Sequence, residues 1–316
     1  MRPALSVIVF TTLSGTGYGI VMLLGVLAPL GLLPQNPLFG AISLIVAIVV
    51  ITIGLFASAL HLGHPERAWR AFSQWRSSWL SREGVAAVVT FVPILAFGLT
   101  WLIEGRVEGQ ALPTAFAAFG ALCALVTVIC TSMIYTSLKT IRQWHNQFVP
   151  VGYILFSLFS GAAWLNALAG LSANRLSSDL AILTIALGIA ALALKLLYWR
   201  FIDTSKPSST LATATGLGGL GTVRALDPPH LEDNYLLKEM GFAIARKHAR
   251  KLRSLAVVLG FILPAALTPF TLSAFLGSAA LAVLLALAAL LGLIVERWLF
   301  FAEATHTVVL YYGRAI

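Results

Sequence analysis

The sequence contains few charged residues. They make up 10% of the 316 residues, whereas hydrophobic residues make up 59%. An ordinary soluble domain has a charged fraction of about 25%, so a soluble globular protein is excluded. Several apolar runs reach the roughly 20 residues that cross a hydrocarbon core about 30 Å thick. We therefore predict a membrane protein with α-helical spans, because the bilayer core offers backbone polar groups no water.

Cysteine is also scarce. Cys123 and Cys130 are the two cysteines, seven positions apart on one face of a predicted helix, and no Cys-x-x-Cys motif occurs. Two such residues cannot supply the ligands of an iron–sulfur cluster or a zinc site, nor attach a c-type haem. We interpret them as small buried apolar residues.

Histidine is missing from the interior of every predicted span. The six histidines lie in loops, in the C-terminal tail or at span ends: His61, His64, His145, His230, His248 and His306. A haem within the membrane usually needs axial histidines well inside facing helices. We therefore expect no haem, no iron–sulfur cluster and no metal site in this chain. Any redox molecule would have to come to it.

The apolar runs predict an all-α integral membrane protein, a bundle of about eight transmembrane helices in one domain over residues 1–316. Pro264 and Pro269 predict a kink in the seventh span. The first span has no small-residue cleavage site after it, so we expect it to be retained. The spans cover about residues 5–32, 41–63, 84–103, 113–137, 149–171, 179–200, 254–275 and 278–301.

The basic residues predict the orientation. Of 21 Lys and Arg residues, Arg106 and Arg175 alone fall in the loops after spans three and five, and the other 19 lie at the opposite side. Cytoplasmic loops carry the excess of Lys and Arg. This predicts a multi-pass membrane protein with both termini in the cytoplasm. We expect no nucleic-acid partner.

Two cytoplasmic segments differ in character. Residues 66–82 alternate arginines with Trp69, Phe72, Trp75 and Trp79, which predicts a short interfacial helix at headgroup level. Residues 203–253 form a long loop that ends in a basic helical stretch. That stretch could anchor the chain to anionic lipid or dock a cytoplasmic partner subunit, and both can hold. The docking residues would be Arg246, Lys247, Arg250 and Lys251.

The 203–253 loop also contains a glycine pattern. Gly216, Gly218 and Gly221 match the spacing of a dinucleotide-binding motif. No apolar strand precedes them, so we interpret the segment as a flexible loop.

His61 and Glu83 are the leading candidates for chemistry. His61 ends the second predicted span and Glu83 begins the third, which places both at the same side of the membrane. Reduction of a quinone consumes two protons, and its head group sits near the interface while its tail stays in lipid. A histidine can exchange a proton with a quinone oxygen near neutral pH, and a partly buried carboxylate can relay protons to water. From spacing alone, helix capping by both residues is an equally open interpretation.

Other polar groups at span ends are weaker candidates. Snorkelling and interfacial anchoring account for most of them. The set comprises Glu66 and Arg67, Glu296, Arg297 and Glu303, Lys195, Tyr198 and Arg200, and Tyr135 with the Arg142–Asn146 run.

Four motifs resemble the membrane anchor subunit of the dimethyl sulfoxide reductase family. They are the His61-Leu-Gly-x-Pro-x-Arg-Ala stretch, Ser81-x-Glu83, Trp144-His-Asn, and Glu296-Arg-Trp-Leu-Phe-Phe-Ala-Glu303. The resemblance covers nearly the whole chain. It implies a haem-free, quinone-reactive subunit of the bacterial cytoplasmic (inner) membrane that is bound to a subunit with iron–sulfur clusters and to a molybdopterin catalytic subunit. It also implies quinone binding by His61 and Glu83, and we add the neighbouring His64 and Arg67 as candidates.

The predicted orientation discriminates within this family. It places the His61/Glu83 end on the cytoplasmic side, which fits an anchor similar to that of membrane-bound sulfite dehydrogenase, whose catalytic subunits stay in the cytoplasm. The alternative is the menaquinol-oxidising anchor of a dimethyl sulfoxide reductase, with the same parts working in reverse. A transporter is the rival of another class. It is disfavoured because no paired Gly/Pro-broken spans indicate an inverted repeat. The sequence names neither the quinone nor the substrate.

Overall fold

The protein is a bundle of membrane-crossing helices. The computed structural model describes residues 3–60, 64–172, 178–205, 207, 209–224, 226–227, 244–272 and 277–312, and for residues 244–247 the backbone alone. Eight helices in this part of the chain are long and apolar enough to cross a membrane. The prediction of an all-α bundle is confirmed. The seventh span contains two α-helices, α8 and α9, and the short α7 is not a span. The α-helices are α1 Leu5–Leu27, α2 Pro37–Ala59, α3 Trp79–Glu104, α4 Ala111–Thr136, α5 Phe148–Ser172, α6 Ser178–Thr204, α7 Leu211–Thr215, α8 Ile244–Val257, α9 Leu263–Leu267 and α10 Ser278–Ala302.

Several span ends differ from the predicted ones. The first helix ends at Leu27 rather than near residue 32, and α3 begins at Trp79 rather than 84. The sixth helix continues to Thr204 rather than ending at 200. Hydropathy locates the apolar part of a helix and not its polar ends, which here extend past the apolar run in α3 and α6. The extensions place Glu83 and Lys195 further inside their helices than the sequence indicated.

The first helix lies at the centre of the bundle. It packs against α2, α4, α5 and α10, and more than three quarters of its apolar window is buried. Small residues allow this close packing. A Cβ on Gly19 would lie 1.8 Å from the Ser157 carbonyl oxygen, and one on Gly161 would lie 2.4 Å from the Gly19 carbonyl carbon. The backbones of α1 and α5 therefore approach as small-residue membrane helices do.

Lipid-facing stripes cover the outer helices. On α3, Val92, Leu95, Leu99 and Ile103 are exposed, and they recur every three or four residues along one face. Such a stripe would be unfavourable in water, but it is the surface that a hydrocarbon environment stabilises.

The seventh span, His248–Leu272, is irregular as predicted. It begins within α8, widens into a π-helical turn over Val258–Ile262, continues as α9 and ends in a 3₁₀ turn over Thr268–Leu272. Pro264 and Pro269 lie at these transitions, because a proline supplies no N–H and clashes with the preceding turn.

Polar side chains close each end of the bundle. At one end the Gln35 side chain joins two loops by hydrogen bonds. Its amide nitrogen donates to the Ala28 carbonyl at 3.0 Å, and its amide oxygen accepts from the Val107 N–H at 3.0 Å. At the other end the segment after α4 packs against the C-terminal tail. Gln143 donates to the Thr305 hydroxyl at 2.8 Å, and the Trp144 indole donates to the Phe300 carbonyl at 3.0 Å.

Candidate functional site

Glu83 is a buried carboxylate between two helices. It lies on α3, roughly 6 Å along the axis from Trp79, and is 4% exposed. The Thr131 hydroxyl of α4 donates a hydrogen bond to it, and Thr131 also donates to the carbonyl of Thr127 at 3.1 Å. No cation pairs with Glu83 among the described residues. An uncompensated carboxylate with one hydroxyl partner is a group that can exchange a proton.

The segment that precedes α3 is fastened to the first turn of that helix. Residues Pro65–Gln74 form a 3₁₀-helix, so the predicted helix over 66–82 is a 3₁₀ segment followed by the start of α3. The Ser81 hydroxyl donates to the Ala71 carbonyl, and the Arg82 guanidinium donates to the carbonyls of Trp75 at 3.0 Å and Arg76 at 2.7 Å. The 3₁₀ segment and the residue that follows it carry three exposed aromatic rings, Trp69, Phe72 and Trp75.

The predicted partners of Glu83 lie on or beside this 3₁₀ segment. His64 and Arg67 are exposed, and both contact Glu66: His64 Nδ1 at 3.0 Å and Arg67 Nε at 3.7 Å from the carboxylate. Neither forms a hydrogen bond with Glu83 in the described part of the chain. His61 lies outside the described residues.

A lipid-facing groove runs between α3 and α4. Its volume is about 550 Å³, and Arg82 and Trp75 form its end near the 3₁₀ segment. Its walls are almost entirely apolar and include Val85, Val89, Phe119, Leu122 and Val126. Cys123 and Cys130 also line it, so Cys123 is only half-buried, while the prediction of a buried residue holds for Cys130. Glu83 lies on the adjoining, inward face of α3.

Two tyrosines lie near Glu83 in the interior. Tyr18 of α1 and Tyr135 of α4 are both within electrostatic range of its carboxylate. The Tyr135 ring stacks on Tyr153 of α5 with centroids 5.9 Å apart, and the Arg297 guanidinium lies 4.4 Å from the Tyr153 ring centroid. Tyr135, Tyr153 and Arg297 thus form an interior layer of contacting side chains, and Glu83 interacts electrostatically with its Tyr135 end.

A buried ion cluster lies at the far side of this layer. The Lys195 ammonium of α6 and the Arg297 guanidinium of α10 both pair with the Glu296 carboxylate, the latter at 2.5 Å. Their side chains are 3%, 8% and 0% exposed for Lys195, Arg297 and Glu296. The interpretation of these three residues as snorkelling or interfacial anchors is wrong. Buried charges in a membrane protein are paired, as here, and are commonly functional.

A second set of ion pairs connects the cluster to the surface. Arg253 of α8 binds Asp203 at 2.6 Å and Glu303 at 2.8 Å, and Asp203 is half exposed. The Trp199 ring lies between the two sets, 4.9 Å from Lys195 Nζ and 5.2 Å from the Arg253 guanidinium carbon. Glu303 is therefore also a buried ion-pair partner rather than an interfacial anchor.

Of the remaining weak candidates from the sequence, some are buried and packed in the interior and others are exposed at the surface. The Tyr198 hydroxyl donates to the Gln143 carbonyl at 3.1 Å, and Trp144 is buried, so neither is an interfacial anchor. Tyr135 is half-buried, whereas Arg200 and His145 are exposed. Arg142 donates to the Ile202 carbonyl at 3.1 Å and caps α6, and partial burial lowers the pKa of its guanidinium.

A weak signal in the sequence could have located the cluster. Lys195 interrupts the apolar run 192–197, and Glu296 and Arg297 interrupt the run 293–302. Adjacent opposite charges inside an apolar run favour a buried pair over snorkelling, because a residue that snorkels has to be near its span end.

The predicted docking residues lie on α8. Arg250 and Lys251 are exposed, and Arg246 and Lys247 are in the part of the helix described by its backbone alone. The glycine pattern is exposed: Gly216 follows α7, and residues Gly218–Leu220 form a 3₁₀ turn, consistent with the predicted loop. Within the described residues no group of three or more His, Cys, Asp or Glu is arranged to hold a metal ion.

Comparison with known proteins gives consistent matches. The DMSO reductase anchor subunit (DmsC) family matches residues 1–313. The C subunit of the sulfite dehydrogenase of Allochromatium vinosum is 32% identical over 99% of both proteins. Two Escherichia coli K12 proteins match over shorter stretches. The YnfH polypeptide of an anaerobic dimethyl sulfoxide reductase is 30% identical over 36% of this protein and 39% of its own length. The C polypeptide of the anaerobic dimethyl sulfoxide reductase is 29% identical over 38% and 41%.

The family match extends over nearly the whole chain and agrees with the eight-span bundle. Anchors of this family belong to multi-subunit oxidoreductase complexes with catalytic and electron-transfer subunits. The chain belongs to the DMSO reductase anchor subunit (DmsC) family.

Proposed function

We propose that this chain is the quinone-reactive anchor of a molybdopterin oxidoreductase complex. Electrons from the catalytic subunit would pass through a partner iron–sulfur subunit to a quinone, ubiquinone or menaquinone, held beside His61 and Glu83. The observation that carries the proposal is Glu83: a buried carboxylate with a hydroxyl partner and no cation among the described residues, one helical turn inside a membrane span.

The groove between α3 and α4 supports quinone binding. A ligand pocket typically has a volume of about 300–1,000 Å³, and this groove has about 550 Å³ with apolar walls. An isoprenoid tail would fit such a groove and remain in contact with lipid. The quinone head would then lie at the end of α3 that carries Ser81, Arg82 and Glu83. His64 and Arg67 would lie at the rim of this site.

We further propose that this end of the bundle faces the cytoplasm. The excess of Lys and Arg on the side that carries Glu83 supports this orientation. The exposed Arg250 and Lys251 would then help to dock the iron–sulfur subunit from the cytoplasm, with residues 203–253 forming the cytoplasmic loop. Topology reporters fused at Arg106 and at Lys238 should report opposite compartments. The same compartment for both would contradict the orientation.

Sulfite is the electron donor that we propose for the complex. The full-length similarity to the sulfite dehydrogenase polypeptide supports it, whereas the two dimethyl sulfoxide reductase polypeptides match over less than half of this protein. The alternative is a menaquinol-oxidising anchor that delivers electrons to a sulfoxide. Membership of an anchor family now disfavours a transporter.

The test is substrate-driven quinone reduction by the purified complex, with His61→Ala as the variant. The wild-type complex should reduce a short-chain ubiquinone or naphthoquinone when sulfite is added. The variant should assemble but lose most of this activity and its binding of a hydroxyquinoline N-oxide inhibitor. Unchanged activity and inhibitor binding in the variant would contradict the site. Reduction of dimethyl sulfoxide by a quinol, without sulfite oxidation, would select the alternative.

A further inference from the structure

Two small cavities flank Arg297. Each has a volume of about 20 Å³, and a cavity of more than about 10–15 Å³ can hold one water molecule. The first is lined mainly by apolar residues, and its polar side chains are those of Lys195, Tyr198, Tyr153 and Arg297. The second shares Tyr153 and Arg297 and adds the hydroxyls of α1 and α5, among them Thr12, Thr16 and Ser160.

Two buried hydroxyls border these cavities. Tyr153 and Thr12 are each 5% exposed. The Thr12 hydroxyl has no hydrogen-bond partner within the described residues, and the Tyr153 hydroxyl faces Arg297 and Tyr135 without a well-formed hydrogen bond to either. Buried polar groups in folded proteins are normally hydrogen-bonded to protein or to ordered water. A water molecule in each cavity would satisfy both hydroxyls and extend the polar layer from Lys195 to α1.

The charge balance of the cluster identifies the residue that can release a proton. Lys195 and Arg297 are two cations that share one anion, Glu296. A guanidinium does not lose its proton in proteins, whereas a buried lysine can. Loss of the Lys195 proton would leave Glu296 and Arg297 as a neutral ion pair, so no buried charge of this cluster would lose its partner.

Lys195 is connected to the basic surface. Glu303 lies within electrostatic range of Lys195, and it binds Arg253, which in turn binds the half-exposed Asp203. The ionisable groups around Lys195 are therefore Glu296 and Arg297 of α10, Glu303 just after it, Tyr198 of α6 and Tyr153 of α5.

Lys195 is also connected to Glu83. Tyr153 borders the same cavity as Lys195, and its hydroxyl faces that of Tyr135, which in turn interacts electrostatically with Glu83. The interior layer thus joins the surface ion pairs, Lys195 and the candidate quinone site.

We propose that Lys195 is a proton-relay residue between the surface ion pairs and Glu83. The relay rests on the proposed function. Each quinone takes two electrons from the partner subunit and two protons, and becomes a quinol. A proton leaves the Lys195 ammonium for water beside Tyr153 and passes by way of the Tyr153 and Tyr135 hydroxyls to Glu83, where it replaces the proton that Glu83 has delivered to the quinone. Lys195 then regains a proton from the Glu303 side. Lys195 does not touch the quinone, and it acts by keeping Glu83 supplied.

The experiment compares Lys195→Met and Lys195→Arg in the purified complex. Both variants should fold, because Glu296 keeps Arg297 as a partner. Methionine removes the charge, whereas arginine keeps the charge but does not release a proton. The relay predicts that both variants slow sulfite-driven reduction of a short-chain ubiquinone at least about tenfold. Inhibitor binding should be unchanged. The slowing should increase with rising pH and be accompanied by a larger solvent deuterium isotope effect. Lys139→Met, at an exposed lysine of the same end, should behave as wild type.

Several results of this experiment would overturn the relay. A wild-type rate in Lys195→Arg would show that only the charge matters and would overturn the relay, as would wild-type rates in both variants. If the Lys195 variants fail to assemble, Tyr153→Phe decides, because it removes one hydroxyl and keeps the ring. Slow turnover in an assembled Tyr153→Phe complex would support the relay, and a wild-type rate or loss of assembly would overturn it.

A wild-type complex that reduces no quinone would overturn the proposed function, and the relay with it. Normal quinone reduction in all variants would overturn the relay alone.

Discussion

Glu83 and Glu296 are two buried carboxylates in opposite electrostatic surroundings. Glu83 accepts a hydrogen bond from Thr131 and is not paired with a cation among the described residues, whereas Glu296 is held by Lys195 and Arg297. Burial of a charge is costly unless it is paired. Glu296 is therefore a fixed anion that stabilises its neighbours, whereas Glu83 is the carboxyl group that changes its protonation state under the proposed function. Burial alone does not make a carboxylate reactive, because the surrounding charges decide its role.

The largest effect is expected at Glu296. Glu296→Gln leaves two buried cations without their shared anion, and removing one partner of a buried ion pair costs about 3–5 kcal/mol. The thermal stability of the purified complex should fall sharply. Lys195→Met should cost less, because the Glu296–Arg297 pair remains. Equal stability of Glu296→Gln and wild type would remove the distinction between the two carboxylates.

Glu83→Gln should change stability little and quinone reduction strongly. The amide oxygen can still accept from Thr131, so we expect a loss of stability below about 1 kcal/mol. Quinone reduction should fall about 100-fold, since an amide cannot exchange the proton. Measurement of stability and turnover on the same preparation checks both. Glu104→Gln, at the exposed opposite end of α3, is the matched control and should change neither.

A smaller effect is expected at Thr131. Thr131→Val removes the hydroxyl that donates to Glu83 and leaves a buried carboxylate without a partner, at a cost of about 1–3 kcal/mol. Thr131→Ser keeps the hydroxyl and should behave nearly as wild type. A stability of Thr131→Val equal to that of Thr131→Ser would contradict the hydrogen bond.

The smallest effect concerns the tail that covers the Glu296 end. Partial burial lowers the pKa of His306, whose Nδ1 accepts from the Val308 N–H at 3.0 Å. A histidine with a lowered pKa in the folded state binds fewer protons than in the unfolded state. The docked tail therefore loses stability as pH falls below about 6.5. Limited proteolysis of the tail should accelerate between about pH 7.5 and about pH 5.5, and His306→Gln should remove this dependence. A rate independent of pH in the wild type would contradict it.

The sequence predicts the fold better than it predicts the site. Hydropathy locates eight spans and the prolines locate the irregular seventh one, because lipid imposes a long apolar helix whatever its neighbours. Glu83 was predicted as a site residue from its place at a span end. The interpretation of Lys195, Glu296 and Arg297 is wrong, since the pair that Lys195 forms with Glu296 joins residues about 100 positions apart. Contacts between distant helices are not encoded in local periodicity.

Photolabelling with an azidoquinone tests whether the quinone binds beside Glu83, in the groove between α3 and α4. Membranes that contain the assembled complex would be illuminated with the probe, with and without excess quinone, and the labelled peptides identified by mass spectrometry. Competed label is expected on α3, α4 and the Pro65–Gln74 segment, around Glu83 and the groove. Competed label confined to α6 and α10, around Lys195 and Glu296, would contradict it.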